Sequence, residues 1–127
     1  MKQRIFIIIT AITIFAFNTT VFGQTFVVSR VEVYDEEDEE DIQEKKNRLL
    51  GVTYELSFYE EDIKVTVEND SMIFSKIDKN IYKCRVYNRY CLLYVEKLMG
   101  IYITSVKMKF FYTDTEELLG IIYLKRK

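Results

Sequence analysis

The sequence predicts an all-β domain: an antiparallel up-and-down meander of about eight short strands, barrel-like, with a two-layer sandwich as the nearest alternative. Three observations lead there. From Gly51 onward apolar and polar residues alternate at period two, the signature of strands with one buried face. The breaks between these runs are two to four residues long, which suits hairpins and is too short for parallel crossovers. Ten tyrosines, nine phenylalanines and many Ile and Val residues favour strand over helix.

The chain opens with Lys2 and Arg4, an apolar run from Ile5 to Phe17, and a break ending at Gly23. That order reads as a cleavable secretory signal peptide over residues 1–23, which sends the mature chain to the periplasm or the extracellular space. The run of 13 residues, diluted by Thr10 and Thr13, falls short of the about 20 apolar residues of a spanning helix. No transmembrane span is therefore expected in the mature chain. Removing the leader leaves 104 of the 127 residues, enough for a single β domain over 24–127 and too few for two.

Thr25 to Tyr34 supplies the first strand. Seven consecutive acids, Asp35 to Asp41, then open the segment 35–50, expected as a short acidic helix or a linker. Acids crowd its start, Lys45, Lys46 and Arg48 stand near its end, and Gly51 is placed as a C-terminal cap. Asp41 with Lys45 and Glu44 with Arg48 have the i to i+4 spacing of supporting ion pairs. Ile42, Leu49 and Leu50 are its apolar anchors, so most of it is expected to be solvated.

The meander follows. Its inward sets are Val52, Tyr54, Leu56 and Phe58; Ile63, Val65 and Val67; Met72 and Phe74; Tyr82, Cys84 and Val86; Cys91, Leu93 and Val95; Val106, Met108, Phe110 and Tyr112; and finally Ile121 with Tyr123. A two-residue turn at Asn69-Asp70 sets Val67 opposite Met72 and Val65 opposite Phe74, with both apolar sets on one face. This chain of hairpins resembles the small lipocalin-like barrels in general architecture. Those proteins carry Gly-x-Trp at the start of the first barrel strand; here Gly51-Val52-Thr53 has threonine in that place, and the chain contains no tryptophan. An outer-membrane barrel is disfavoured, because the strands are mostly too short to span, the loops are tight and the chain ends in Lys125-Arg126-Lys127.

Composition narrows the function. Two of the 18 basic residues leave with the leader, so 16 face 20 acids and the mature charge is −4, with no concentrated basic patch. Nucleic acid is not an expected partner. With no histidine, the chain lacks an imidazole base and the usual zinc and copper ligand sets, and no cofactor or metal is expected. The acidic run lacks the spaced carboxylates of an EF-hand. The carboxylates of Glu60-Glu61-Asp62 and Glu116-Glu117 fall in exposed turns, where little would raise a pKa; a carboxylate-based hydrolase is the least favoured reading, and an enzyme is not expected.

Cys84 and Cys91 flank the turn at Tyr87 to Arg89, and export favours a disulfide between them. A Tyr87-Asn88 loop opposes them directly. An Asn88-Arg89 loop leaves them diagonal, about 7 Å apart. Asparagine tolerates positive φ at the first loop position, which favours the second register and two buried thiols.

The reading is thus a small exported protein that acts by binding. An apolar ligand inside the barrel would meet Tyr54, Leu56, Phe58, Phe74, Tyr82, Leu93, Met108, Phe110 and Tyr112. A partner protein, or a second copy, would meet an outer face carrying Tyr87, Tyr90, Leu92, Tyr94 and Phe111, where Ile73, Ile77, Ile81, Leu98, Ile103, Ile122 and Leu124 are also placed. The alternative of a different class is a structural or assembly subunit of the cell envelope.

Overall fold

The computed structural model describes residues 22–99 and 102–127, so residues 1–21 of the expected leader lie outside the described residues. Phe22 and Gly23, its last two residues, are the first two of β1 (Phe22–Val33). The acidic segment forms α1 (Glu39–Leu49). Then come β2 (Thr53–Phe58), β3 (Asp62–Val67), β4 (Asp70–Asp78), β5 (Ile81–Val86), β6 (Arg89–Leu98), β7 (Tyr102–Tyr112) and β8 (Leu118–Arg126). The strands pair antiparallel in sequence order, and β8 returns to β1 to close an eight-stranded barrel.

Helix α1 starts where Asp38 caps it, its carboxylate accepting from the Glu40 amide at 2.8 Å. Glu39, Glu40 and Asp41 sit in the first turn, Lys46 and Arg48 in the last, and Gly51 follows in the left-handed region at φ 82°. The expected i to i+4 ion pairs are replaced by longer-range ones. Lys45 reaches back to Asp35 at 3.0 Å and Glu36 at 3.3 Å, tying the helix to the segment that joins it to β1. No residue of α1 is fully buried, and Leu49 is its contact with the core.

Eight strands of alternating side chains give one interior. Phe26, Ile63, Val65, Phe74, Leu93 and Met108 are 0 % exposed, so no water-sized gap adjoins them. An eight-stranded barrel is just wide enough for side chains to fill, and here they do so through its middle. Cross-strand rows build this core: Phe58, Ile63 and Phe74 in one, Tyr82, Leu93, Met108 and Ile122 in another.

Four register shifts re-aim side chains, and the one in β7 corrects the sequence reading, as does the regular part of the β8 pairing. In β7 the pairing steps from Ser105 to Ile103, which leaves Thr104 as the extra residue and turns Ile103 inward to 3 % exposure. In β8, Met108 pairs with Ile122 and Val106 with Leu124, so Ile122 and Leu124 point into the core and Tyr123 points out. The other shifts fall at Ser29 in β1, Ile77 in β4 and Leu119 in β8.

Two hairpins are also re-registered. The β3–β4 loop is Glu68-Asn69, which sets Val67 against Asp70, Val65 against Met72 and Ile63 against Phe74. The shift is by two residues, so the inward faces are kept. The β5–β6 loop is Tyr87-Asn88. In both loops the first residue takes the left-handed conformation, Glu68 at φ 56° and Tyr87 at φ 59°. The asparagine follows it instead of occupying it.

Candidate functional site

The barrel has two unlike ends. Loops β2–β3, β4–β5 and β6–β7 lie at one; α1 and loops β3–β4, β5–β6 and β7–β8 lie at the other. At the α1 end β1 runs six residues beyond its last pairing with β2, at Val27, and the helix covers the space that β2 would otherwise fill. The inward row nearest this mouth is Cys84, Cys91, Phe110, Gly120 and Val33, in cross-strand sequence. Three of these five side chains are small or absent. Phe110, Gly120 and Val33 of this row border a cavity of about 270 Å³ beneath the helix. Its apolar floor includes Val31, Tyr54, Phe110 and Ile122, while Leu49, Lys45 and Arg48 close it from α1 and Arg89 from β6.

Of the residues expected to line a ligand, Tyr54 and Phe110 do line this cavity. Leu56, Phe58, Phe74, Leu93 and Met108 are buried in the packed middle, and Tyr82 packs half-buried against it. Tyr112 sits at the rim, its ring under the Arg89 guanidinium at 5.6 Å. Burial raises the Tyr54 hydroxyl above its ordinary pKa, so it stands as a neutral donor at the cavity wall. The sequence reading places Leu49 and Arg48 only on the helix and Arg89 only in a turn, and does not single out Gly120. The available signal was Gly120, a lone glycine inside an apolar strand, which often marks close backbone approach.

The acids around this mouth are held. Glu32 accepts hydrogen bonds from Tyr34, from Tyr123 at 3.1 Å and from Arg30. Tyr34 first, then Tyr123 and Arg30, keep its carboxyl below the usual carboxylate range against the opposing pull of desolvation. Its contribution to stability is therefore complete above the unfolded-state pKa and is lost as the pH falls through the lower folded value. Glu32→Gln is expected to flatten the acid limb of the stability curve between about pH 5 and pH 3 while leaving its shape above pH 6 unchanged, read by urea midpoints across pH.

On the outer face Ile73, Ile77 and Leu98 stand exposed as expected, while its tyrosines are partly covered. Tyr90 and Phe111 stack with centroids 4.9 Å apart, Lys83 lies 4.6 Å over Tyr90, and Lys107 and Lys109 each lie 5.3 Å from Tyr94. The lysine ammonium groups thus lie against the ring faces as cation–π partners. Tyr90, Leu92, Tyr94 and Phe111 are half-buried as a result, while Tyr87 stands 97 % exposed on its turn. A groove of about 590 Å³, larger than the space beneath the helix, runs along this wall past Tyr94 and Tyr123.

Cys84 and Cys91 are directly opposed, contrary to the favoured diagonal register, and both are free thiols in this structure. Burial, and after it the neighbouring Cys84, drives the Cys91 thiol far above its ordinary pKa, so it stays protonated. Glu60-Glu61 with Asp62 at the start of β3, and Glu116-Glu117 in the β7–β8 loop, lie at opposite ends of the barrel.

The fold defines the class: a closed eight-stranded antiparallel meander barrel with one helix over its mouth. The chain matches no family model, no curated protein and no solved structure.

Proposed function

We propose that this protein is a small exported barrel that acts by binding, with an apolar guest held at the helix-covered mouth. The observation that carries the reading is the cavity of about 270 Å³ whose wall joins Tyr54 and Phe110 to Leu49 of α1. A few polar groups around an apolar floor is the usual composition of a ligand site. The packed middle of the barrel leaves the mouth as the place for a guest. Export rests on the leader of residues 1–23.

Native mass spectrometry of the protein purified from its own compartment tests this. The expected result is a monomer that retains a small apolar adduct, which Leu49→Trp displaces by filling the cavity. A second reading, a partner or structural subunit engaged through the outer wall, is favoured by the groove past Tyr94 and Tyr123. Adduct-free protein that self-associates at micromolar concentration would overturn the mouth reading in favour of that one.

A further inference from the structure

We infer that the cavity beneath α1 selects a short-chain carboxylate, its oxygens held by Arg48 and Arg89 and its tail on the apolar floor. The inference rests on the mouth being the binding site and adds the charge and size of what it binds.

Five charged side chains line the cavity: the acids Glu32 and Asp35 and the cations Lys45, Arg48 and Arg89. Every one of the acids already has a cation. Asp35 takes Lys45 at 3.0 Å, and Glu32 takes Arg30, with two tyrosine hydroxyls in addition. Arg48 and Arg89 have no carboxylate within ion-pair distance among the described residues. Arg89 lies over the Tyr112 ring, a contact that orients a guanidinium without neutralising it. Two unneutralised guanidinium groups therefore border an apolar cavity from opposite elements, the helix and the barrel wall.

That combination matches one ligand chemistry. A guanidinium presents paired donors spaced for the two oxygens of a carboxylate, and the floor of Val31, Phe110 and Ile122 suits methylene groups. A neutral alcohol would leave both cations unmatched, and an alkylammonium would meet like charge. A volume of about 270 Å³ lies just under the range of drug-sized pockets, so the guest has on the order of ten non-hydrogen atoms. Both arginines are exposed, so water screens them and the expected discrimination is about tenfold.

Isothermal titration calorimetry of the full mature protein with octanoate, octanol and octylammonium provides the test. Octanoate is expected to bind about tenfold more tightly than octanol. Arg48→Gln and Arg89→Gln should each lose most of that margin for octanoate and leave octanol unchanged, while Arg85→Gln, on the exposed wall of β5, should alter neither. Arg48 is an exposed helix residue, so its variant keeps the test valid if the change at Arg89 disturbs the β5–β6 turn. Equal affinity for octanol and octanoate, or a preference for octylammonium, overturns the carboxylate inference and leaves the mouth reading intact. If none of the three binds a protein with native circular dichroism, the mouth reading falls with it.

Discussion

Gly120→Val is expected to destabilise the barrel by about 3 kcal/mol, measured as a fall in the urea midpoint with an unchanged slope. A Cβ placed on Gly120 would stand 2.7 Å from the backbone oxygen of Glu32. That oxygen belongs to β1, so relief requires the β1–β8 seam itself to move, and this seam closes the barrel. Gly51 provides the contrast. Nothing lies within 4 Å of its Cβ position, but its φ of 82° is left-handed, so Gly51→Ala should cost only about 1 kcal/mol of conformational strain. Equal losses at the two sites would show that the seam is looser than the geometry described here.

Phe74→Ala is expected to cost about 3 to 5 kcal/mol, because the ring is 0 % exposed and its removal leaves a hole that close-packed neighbours cannot fill. Phe74 sits in the row with Phe58 and Ile63, where three adjacent strands meet. For a domain of this length the loss corresponds to a fall in Tm on the order of 15 °C. Against a total stability of about 5 to 15 kcal/mol it removes a large share, and a change under about 1 kcal/mol would mean that the interior is not packed as described.

Most of this architecture was legible because β2, β3, β5 and the middle of β7 alternate, as Tyr54 with Leu56 and Met108 with Phe110 do. Alternation loses its meaning where both faces are apolar. Leu118 to Leu124 carries Leu, Ile or Tyr on either phase, interrupted only by Gly120, so its inward set could be found only by pairing it with β7. Ile103 was misplaced for a different reason. Period two holds only while the ladder is regular, and the extra residue Thr104 resets the count. The hairpins at Glu68 and Tyr87 place ordinary residues in the left-handed region, a choice that strand packing imposes against local preference.

The candidate site was half visible. Tyr54 and Phe110 follow from their inward phase. The rest of the mouth is made by the helix, which lays Leu49, Lys45 and Arg48 over the end of the barrel beside Gly120. Its charge arises from which cations the acids leave over, and that depends on Lys45 folding back ten residues to Asp35. Neither the empty space nor the surplus charge can be read from spacing along the chain.

The seam between β1 and β8 joins groups as far apart in the chain as Ser29 and Tyr123, 94 positions, so the wall completes only with the last strand. Until β8 arrives the nascent molecule is an open sheet with two raw hydrogen-bonding edges, prone to pair with a neighbour instead of with itself. Ring closure between the remotest segments is also the slowest kind of assembly for a chain of this size. Keeping those edges apart from other chains until β8 pairs is the step on which the yield of intact barrel should depend most.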